Sequence, residues 1–440
     1  MPDGAAGAGG VAARGARPRL LVISQVYVPD PAAVGQYIAE AAAEMVRRGW
    51  DVDVLAASRG YDDPAVRYAA RETRDGVAIR RLPLSSFGKR SIAVRLLAQS
   101  IFLLQSFVYG LFGRRPDLIL VSTSPPFAGF VGATLAACRR TPFAWWVMDV
   151  NPDQMIAAGR LAKTSCAARV FDWMNRVALR RAAAVVVLDR HMARRLEEKF
   201  PVGERMAVIP PWPIVEAGAA DSSATGRFRR LHGLEAKFVV MYSGNHALQH
   251  PLDTLLDAAR ALEGDERLAF VFVGGGAGKA AVERRISGGA TNVRSLPSAP
   301  LAELGDVLAA ADVHVVTMGD DMVGIVHPSK VYGVMAAARP ILYFGPGDSH
   351  VGELVERHRI GWTIRHGDVA GAVAAIQAGL AAGRDGLREM GGRAIAAVSG
   401  ALQRDRLRGQ FCDLLAGIVT AERSRRGTIT REEEVPGHAR

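Results

Sequence analysis

The chain has 440 residues, of which 49% are apolar and 22% charged, a composition that suits a globular protein of two to three domains and excludes wholesale disorder. Its three cysteines form no CxxC pair and no apolar signal segment precedes the first strand, so we predict a cytoplasmic protein without a disulfide framework or a cysteine zinc site. The net charge of +11 reflects either compositional bias or an anionic partner such as phosphate or a membrane surface, and no zinc-finger spacing, RNP motif or basic aromatic stripe predicts nucleic-acid binding.

Short apolar runs alternate with helical patterns along the first half of the chain. Residues 1–17 are predicted to be a flexible leader, because their composition cannot bury a core. A helix is predicted over residues 33–48, with Gly49 ending it. The predicted strands are residues 19–24, 51–56, 77–82, 117–123, 143–149 and 183–188. This alternation predicts a parallel sheet with helices on both faces, and an N-terminal domain over residues 18–213.

The alternation weakens over residues 210–225, which are rich in Pro, Ser, Gly and Ala, and we predict a linker over residues 214–228. Beyond it the alternation restarts, with predicted strands at residues 237–243, 269–273, 293–296, 312–318 and 340–344. We therefore predict a second domain over 229–400, a C-terminal helix over 401–422 that packs back on the first domain, and a flexible charged tail over 423–440. Ligands of doubly wound sheets bind at the carboxyl ends of the strands, so the cleft between the two domains is the predicted site.

Residues 96–113 form an uncharged stretch of 18 residues with arginines at both ends. That length lies at the lower limit for a membrane-spanning helix. On a helix, Gln99, Ser106 and Gly110 share one polar stripe, which favours a helix packed on the sheet with one face in the membrane interface. A buried core helix and, less readily, a membrane span remain alternatives. We predict peripheral membrane contact through this segment.

Three strand ends carry glycine-containing loops. Gly35, near the start of the first helix, lets backbone amides approach an anion or merely eases helix–sheet packing. In the second half, the strand VVMYS is followed by Gly244 and Asn245, a place for a phosphate or sugar hydroxyl or a plain turn. The next strand runs into the glycines of residues 274–276, whose spacing is not that of a Walker A loop but permits close approach of a nucleotide.

The most informative stretch is VGIVHPSKVYGVMAAARP, residues 323–340. Pro328 suits the first turn of a helix, which places Ser329 and Lys330 at the N-terminus of that helix. The helix dipole disfavours a cation there unless an anion lies between the ammonium and the backbone amides. A hydroxyl, free amides and an ammonium together predict a diphosphate site, the alternative being an exposed lysine beside a proline turn.

The motifs YSGN, FVGGGAGK and VHPSKVYGVMAAARPILYFGP, in this order, resemble the C-terminal domain of the family 4 retaining glycosyltransferases of the GT-B fold. They are most similar to the branch that builds O-antigen, colanic acid and other surface polysaccharides. The opening PDPAAVGQYIAEAAAEMVRRGWDVDVLA and the stretch PFAWWVMDVNPD resemble the N-terminal domain of the family. The resemblance covers residues 18–420 and implies an α/β protein of GT-B architecture, with two doubly wound Rossmann-like domains facing each other across a cleft.

The resemblance also implies a nucleotide-diphosphate sugar as donor, held mainly by the C-terminal domain, and no cofactor. The residues implied to bind the donor and its diphosphate are Gly35, Gly244, Asn245, Ser329 and Lys330. Those implied to lie near the nucleoside are Gly274, Gly276, Leu296 and Pro297. Many members carry a Glu-x7-Glu motif around this helix, and the matching positions here are Ile325 and Gly333, which offer no side-chain acceptor to a ribose. Nucleotide recognition is therefore expected to depart from that pattern.

In retaining transfer, a positive charge must stabilise the leaving diphosphate, and Lys330 is the predicted catalytic cation. No metal-ligand spacing is visible and a fixed cation makes a metal unnecessary, so no metal is expected. Asp149, in MDVNPD at a strand end, is the candidate for orienting or deprotonating the acceptor hydroxyl, unless it caps a turn or the following helix. His246, His250 and His327 are expected near the cleft, in structural or donor-positioning roles rather than catalytic ones.

We therefore predict a hexosyl- or acetylhexosaminyl-transferase that acts on the cytoplasmic face of the membrane. It would move a sugar, with retention of configuration, from a nucleotide sugar to a glycan on a polyprenyl-diphosphate lipid. The alternatives are a sugar-nucleotide 2-epimerase of the same fold and a sugar-nucleotide-binding subunit without activity. An epimerase needs no acceptor and no membrane helix, and binding without turnover would indicate the inactive subunit.

Overall fold

Two β-sheets flanked by helices form the chain in the computed structural model, which describes residues 17–60, 63–85, 92–218 and 222–433. The predicted leader lies outside these ranges except for its last residue. Alternate residues of a central strand of the second sheet enter different cores: Val240 and Tyr242 belong to one cluster, Val239 and Met241 to another. Burial of both faces is the pattern of a doubly wound sheet.

The first sheet comprises β1 (Arg19–Ile23), β2 (Asp51–Ala57), β3 (Arg71–Arg74), β4 (Val77–Leu82), β5 (Leu118–Ser122), β6 (Phe143–Trp146), β7 (Ala184–Val187) and β8 (Met206–Val208). Within the described ranges its order is β3-β4-β2-β1-β5-β6-β7-β8, and β3 pairs antiparallel with β4 while the other pairs are parallel. Its helices are α1 (Ala33–Arg47), α2 (Ile92–Phe112), α3 (Ala128–Arg139), α4 (Asp153–Ala157), α5 (Cys166–Arg181) and α6 (Arg190–Lys199).

The second sheet comprises β9 (Phe238–Ser243), β10 (Leu268–Val273), β11 (Val293–Leu296), β12 (Val313–Thr317), β13 (Ile341–Phe344) and β14 (Gly361–Ile364). The strand order is β11-β10-β9-β12-β13-β14 and the pairing is parallel. The accompanying helices are α7 (Ser222–Leu231), α8 (Asp253–Ala261), α9 (Lys279–Ser287), α10 (Leu304–Ala309), α11 (Lys330–Ala336), α12 (His350–His358), α13 (Val369–Ser399) and α14 (Arg404–Glu433).

Helix α1 shows how the local sequence sets the element that faces the cleft. Gly49 follows the helix with a φ of +86°, a left-handed conformation that favours glycine and ends the helix. At the other end, a Cβ on Gly35 would lie 3.0 Å from Cα of Tyr27. Glycine therefore lets the first turn of α1 pack against the loop that leaves β1.

The structure corrects three details of the predicted organisation. Strands β3, β8 and β14 were not predicted, because each is only three or four residues long and lies at a sheet edge. The predicted linker, 214–228, already contains the start of α7, which packs on α10 of the second domain. The predicted tail, 423–440, begins as a continuation of α14, which runs to Glu433.

Helix α2 contains the predicted uncharged segment. Its part Val94–Phe112 is long and apolar enough to cross a membrane, and a third of that stretch is buried. Phe102 and Ser106 are fully buried against the first sheet, whereas Leu104 is 64% and Phe112 80% exposed. The helix is thus packed on the domain along its polar stripe and presents an apolar face outward.

Helix α14 returns from the second domain to the first and packs on α1. Phe411 is fully buried, with its ring centroid 4.1 Å from that of Trp146 and 6.3 Å from that of Trp212. Glu40 of α1 accepts hydrogen bonds from Arg404 at 2.8 and 3.0 Å and from the Trp212 indole at 2.7 Å. One hydrophobic cluster therefore includes residues of both domains.

Candidate active site

The carboxyl ends of β6 and β7 meet the loop that follows β12, so the two sheets face each other at the predicted cleft. The Val150 amide donates a hydrogen bond to the carbonyl of Ile325 at 2.9 Å. Gly324 has a φ of +70°, and a Cβ there would lie 2.6 Å from the carbonyl oxygen of His191. The loop after β12 is thus held against the first domain immediately before it reaches Pro328.

Lys330 forms the centre of the site. Its ammonium donates to the hydroxyl of Tyr242 at 2.6 Å and lies 3.9 Å from the centre of that ring. The Tyr242 hydroxyl in turn donates to the carbonyl of Asn245 at 2.7 Å, and a Cβ on Gly244 would lie 3.3 Å from Nζ of Lys330. Burial lowers the pKa of Lys330 to about 7. A poorly hydrated ammonium of this kind gains from binding an anion.

The other predicted diphosphate contacts lie at the same corner. Ser329 precedes Lys330, and its side chain opposes the rise in the pKa of the Tyr37 hydroxyl of α1 that burial causes, which places the two side chains close together. Gly35 lies two residues before Tyr37 in the first turn of that helix. The structure therefore brings the predicted residues of the two domains to one place, and Tyr37 is the link between them.

The predicted nucleoside residues form a rim beside this corner. A Cβ on Gly274 would lie 2.1 Å from the carbonyl oxygen of Gly244, and one on Gly276 would lie 2.4 Å from Oδ1 of Asn245. Glycine is therefore required for the two loops to touch. The ammonium of Lys279 donates to the carbonyls of Gly274 at 2.8 Å and Leu296 at 2.9 Å, which ties the glycine loop to the strand end before Pro297.

Asp149 and Asp153 come from the same motif but occupy different environments. Burial raises the pKa of Asp149 to about 6, and the nearby His327 opposes that rise. A carboxyl with this pKa at the carboxyl end of the sheet suits proton transfer near neutral pH. Asp153 forms ion pairs with Arg195 at 2.9 Å and Lys199 at 2.5 Å, which indicates a structural role.

The three histidines named from the sequence are all engaged within the protein or buried. His246 is fully buried, and burial together with the Lys330 charge lowers its pKa to about 4. His250 bonds through Nδ1 to the carbonyl of Thr317 at 2.7 Å, and burial lowers its pKa to about 3. Nδ1 of His327 contacts Asp189 at 2.7 Å, across the interface between the domains.

The expected departure at the acidic pair has a structural counterpart. Ile325 is buried and its carbonyl accepts from Val150 of the first domain. At Gly333, in α11, a Cβ would meet only the side chain of Leu308, at 3.3 Å. Ile325 thus provides an apolar side chain, Gly333 lies close against Leu308, and neither position provides a carboxylate.

Among the described residues, one group of three metal-binding side chains lies close together, namely His191, Asp348 and Glu353. Glu353 already accepts hydrogen bonds from Arg190 and from Nε2 of His191, the latter at 2.8 Å. These contacts join α6 of the first domain to α12 of the second, so the group is best described as an interdomain ion-pair cluster.

Comparison with known proteins agrees with this geometry. Residues 32–212 match the glycosyl transferase 4-like domain. A Pseudomonas aeruginosa protein named as the glycosyltransferase WbjE is 27% identical over 62% of this chain and 70% of its own length. An Escherichia coli K12 protein named as the colanic acid biosynthesis glycosyl transferase WcaI is 25% identical over 77% of this chain and 86% of its own. The first domain therefore matches the glycosyl transferase 4-like family, and both relatives support glycosyltransferase activity for the chain.

The fold of this glycosyltransferase is shared with solved structures. Sucrose-phosphate synthase from Thermosynechococcus elongatus has a TM-score of 0.72 and 18% identity, covering 92% of this chain and all of that one. Anabaena HepE in complex with UDP and glucose has a TM-score of 0.69 and 16% identity, covering 91% and all of that chain. The predicted GT-B architecture of two Rossmann-like domains is confirmed.

Sequence reasoning missed several residues of the glycosyltransferase site. Tyr242 stands inside the strand motif YSGN and Lys279 follows the glycine loop, so both were visible as residue types near the predicted site. Tyr37 and Asp189 carried no such signal, because each reaches the site only through contact between the domains.

Proposed function

We propose that this glycosyltransferase moves a sugar from a nucleotide-diphosphate sugar to a lipid-linked glycan at a membrane surface, with retention of configuration, in cell-surface polysaccharide biosynthesis. The observation that carries the donor part is the partly buried ammonium of Lys330, placed beside two glycine loops that touch each other. Such a corner offers fixed positive charge and open backbone to a diphosphate. UDP is the first donor nucleotide to test, because solved structures of HepE are described as complexes with UDP and with UDP-glucose.

The proposed chemistry divides between the two domains. Lys330 would neutralise the charge that develops on the leaving diphosphate, where a preorganised cation is most effective. Asp149 would orient or deprotonate the acceptor hydroxyl from the other side of the cleft, and its raised pKa keeps it available for proton transfer. The fixed ammonium supports a reaction without a cofactor. Whether a hexose or an acetylhexosamine is transferred depends on groups beyond this corner.

A membrane-bound acceptor is supported by the outward face of α2. The exposed apolar residues of this face are Leu97, Leu104, Val108 and Phe112. The helix carries no acidic residue that an anionic membrane would repel. Arg114 and Arg115 follow one residue after Phe112 and are exposed. Exposed apolar groups beside cations fit the interface of an anionic membrane, which needs both signals for stable attachment.

The apolar surface extends across neighbouring helices of the first domain. On α5, Val170 and Trp173 are exposed, and the Trp173 ring contacts Phe130 of α3, which packs between α2 and α5. The face is therefore broader than one helix. We propose that this face holds the enzyme on the cytoplasmic side of the membrane, where a polyprenyl-diphosphate-linked glycan could reach the cleft.

The two alternative functions gain no support from the relatives, which are named as glycosyltransferases. An epimerase would convert the sugar on its nucleotide without an acceptor, and an inactive subunit would bind the donor without turnover. Both are outcomes of the experiment below.

The test is thermal stabilisation by UDP, GDP and CMP, followed by an assay for nucleotide release with and without membranes containing acceptor. A nucleotide at 100 times its dissociation constant should add about 2.7 kcal/mol of stability. We expect one nucleotide to stabilise the wild type and Lys237→Ala, a surface lysine control, but not Lys330→Ala. Acceptor-dependent release would support the transferase, acceptor-independent sugar conversion the epimerase, and binding without turnover the inactive subunit.

A further inference from the structure

A continuous chain of hydrogen bonds crosses from the first domain to the second beside the proposed donor site. Oδ2 of Asp189 lies 2.7 Å from Nδ1 of His327. Nε2 of His327 lies 2.9 Å from the hydroxyl of Tyr332, which lies 2.8 Å from Nε2 of His350. Asp189 belongs to the turn between β7 and α6, whereas the other three residues belong to the second domain. We call these four residues the interdomain relay.

The relay is buried, which makes its geometry costly to disturb. The side chains of His327 and Tyr332 have no exposed area, and that of Asp189 is 4% exposed. The second carboxylate oxygen of Asp189 accepts from the amide of Met192 at 2.8 Å and so caps α6. Because a buried polar group without a partner is strongly disfavoured, each member fixes the position of the next.

The relay leads directly into the corner that holds Lys330. His327, Pro328, Ser329 and Lys330 are consecutive, so the imidazole that contacts the first domain lies three residues before the ammonium. Tyr332 follows in the first turns of α11, so the relay holds both ends of this segment. The contact from Val150 to Ile325 fastens the same loop at a second point.

We propose that Asp189 and His327 are positioning residues that hold the Ser329–Lys330 corner in register with Asp149 across the cleft. This inference rests on the proposed function of that corner. In this chain the two positions that often carry acidic side chains are Ile325 and Gly333. Neither supplies a polar side chain to fix the loop, and the relay provides the polar anchor instead.

The proposal predicts a defect in turnover rather than in nucleotide binding. The nucleoside rim and Lys330 belong to the second domain alone, so UDP affinity should change by less than about threefold when the relay is broken. Turnover requires both domains in register, and a displacement of about 1 Å costs on the order of 100-fold in rate. We therefore expect Asp189→Asn and His327→Gln to lower kcat by about 10- to 100-fold.

Two substitutions of His327 separate its contact with Asp189 through Nδ1 from its contact with Tyr332 through Nε2. The amide of asparagine can replace Nδ1 and keep the contact with Asp189, whereas that of glutamine can replace Nε2 and reach only Tyr332. His327→Asn should therefore retain more turnover than His327→Gln. The double variant Asp189→Asn/His327→Gln should lose no more than the worse single variant, because the two residues act as one unit.

Tyr332→Phe removes one hydroxyl and serves as the mild variant should the histidine variants fold poorly. Its matched control is Tyr343→Phe, which removes another buried hydroxyl of the same domain, bonded to Ser349 at 2.9 Å. Loss of kcat in Tyr332→Phe but not in Tyr343→Phe supports the proposal. Equal kcat in both, or additive losses in the double variant, overturns it.

Solution X-ray scattering gives a readout that does not depend on activity. We expect Asp189→Asn and His327→Gln to increase the radius of gyration of the full chain, because the domains lose a fixed contact. If both variants keep the wild-type radius of gyration and the wild-type kcat, the proposed positioning role of Asp189 and His327 is overturned. If the wild type binds UDP but turns over no donor, the proposed function fails while the scattering comparison still decides the relay.

Discussion

Lys330 combines a lowered pKa with a place beside two glycine loops that touch each other. Its ammonium contacts the hydroxyl and ring of Tyr242, and burial lowers its pKa to about 7. Near neutral pH a substantial fraction of the free protein therefore carries an uncharged Lys330. A bound diphosphate would favour the charged form, so binding and protonation are linked.

This linkage gives a prediction about UDP affinity. We expect UDP binding to take up close to one proton at pH 8, and the dissociation constant to rise about tenfold per pH unit above 7. The measurement is titration calorimetry at pH 8 in two buffers of different ionisation enthalpy. Lys330→Arg, which stays charged, should bind without proton uptake. Equal apparent enthalpies for the wild type in both buffers would contradict the prediction.

Asp149 and Asp153 allow catalysis to be separated from stability. Asp149→Asn should lower kcat by about 100-fold or more while leaving UDP affinity unchanged, because the base that faces the acceptor is lost. Its raised pKa means that the folded protein loses stability as pH rises from the ordinary value of 3.8 towards 6. Removing that charge should therefore maintain or raise the melting temperature at pH 7.

Asp153→Asn is the matched control for this prediction. It leaves Arg195 and Lys199 without their buried partner, so it should lower the melting temperature while kcat per folded molecule stays the same. In the wild type, kcat/KM should fall below pH 6 as Asp149 is protonated. An Asp149→Asn variant with wild-type kcat would exclude the proposed role.

The site residues that could be predicted from the sequence are those that stand in a short motif of recognisable chemistry. Ser329, Lys330 and Gly244 stand in short motifs whose glycine, hydroxyl and charge indicate an anion site by themselves. The bond from Lys330 to Tyr242 joins residues 88 apart, and that from His327 to Asp189 joins residues 138 apart. The first contact depends on how the strands of the second sheet are ordered, and the second depends on how the two domains meet. No local pattern encodes either arrangement.

Among the elements, α2 shows what the helical spacing of polar and apolar residues can and cannot predict. The spacing correctly separates a polar stripe from an apolar one, but does not say which stripe is buried. The small side of the helix faces inward because it permits close packing: a Cβ on Gly110 would lie 2.4 Å from the Leu135 side chain on α3. The bulky apolar residues of α2 therefore face outward, because the close contact with α3 admits only the small side of the helix.

That exposed face gives a prediction about membrane binding. Leu104→Ser should weaken partitioning onto anionic liposomes by about 5- to 30-fold, because about 1–2 kcal/mol of apolar burial is lost. Leu231→Ser, at a leucine of α7 that is 79% exposed, should leave partitioning unchanged. Cosedimentation at low and high salt measures both, and salt should weaken wild-type binding. Equal partitioning of the two variants would exclude α2 as the contact.

At the scale of the whole molecule, the two domains share a hydrophobic cluster and α14 returns to the first domain. The sequence predicts two domains because the strand–helix alternation is interrupted once and restarts. It places the boundary poorly, since the composition of residues 214–228 indicates a linker although α7 begins at Ser222. A helix start in a Ser- and Gly-containing stretch is stabilised by packing on α10, which composition does not show.

Phe411 provides a test of whether α14 is part of the first domain in energetic terms. Its buried ring contacts Trp146 and Trp212, so Phe411→Ala should destabilise that domain by about 3–5 kcal/mol through lost burial and a residual cavity. Urea unfolding followed by tryptophan fluorescence reports on it, because the two contacted indoles lie in the first domain. Phe228→Ala, at a partly buried ring of α7, should cost less and affect the second domain. If Phe411→Ala leaves the unfolding of the first domain unchanged, α14 is an appendage, and the two domains are joined chiefly by the loop after β12.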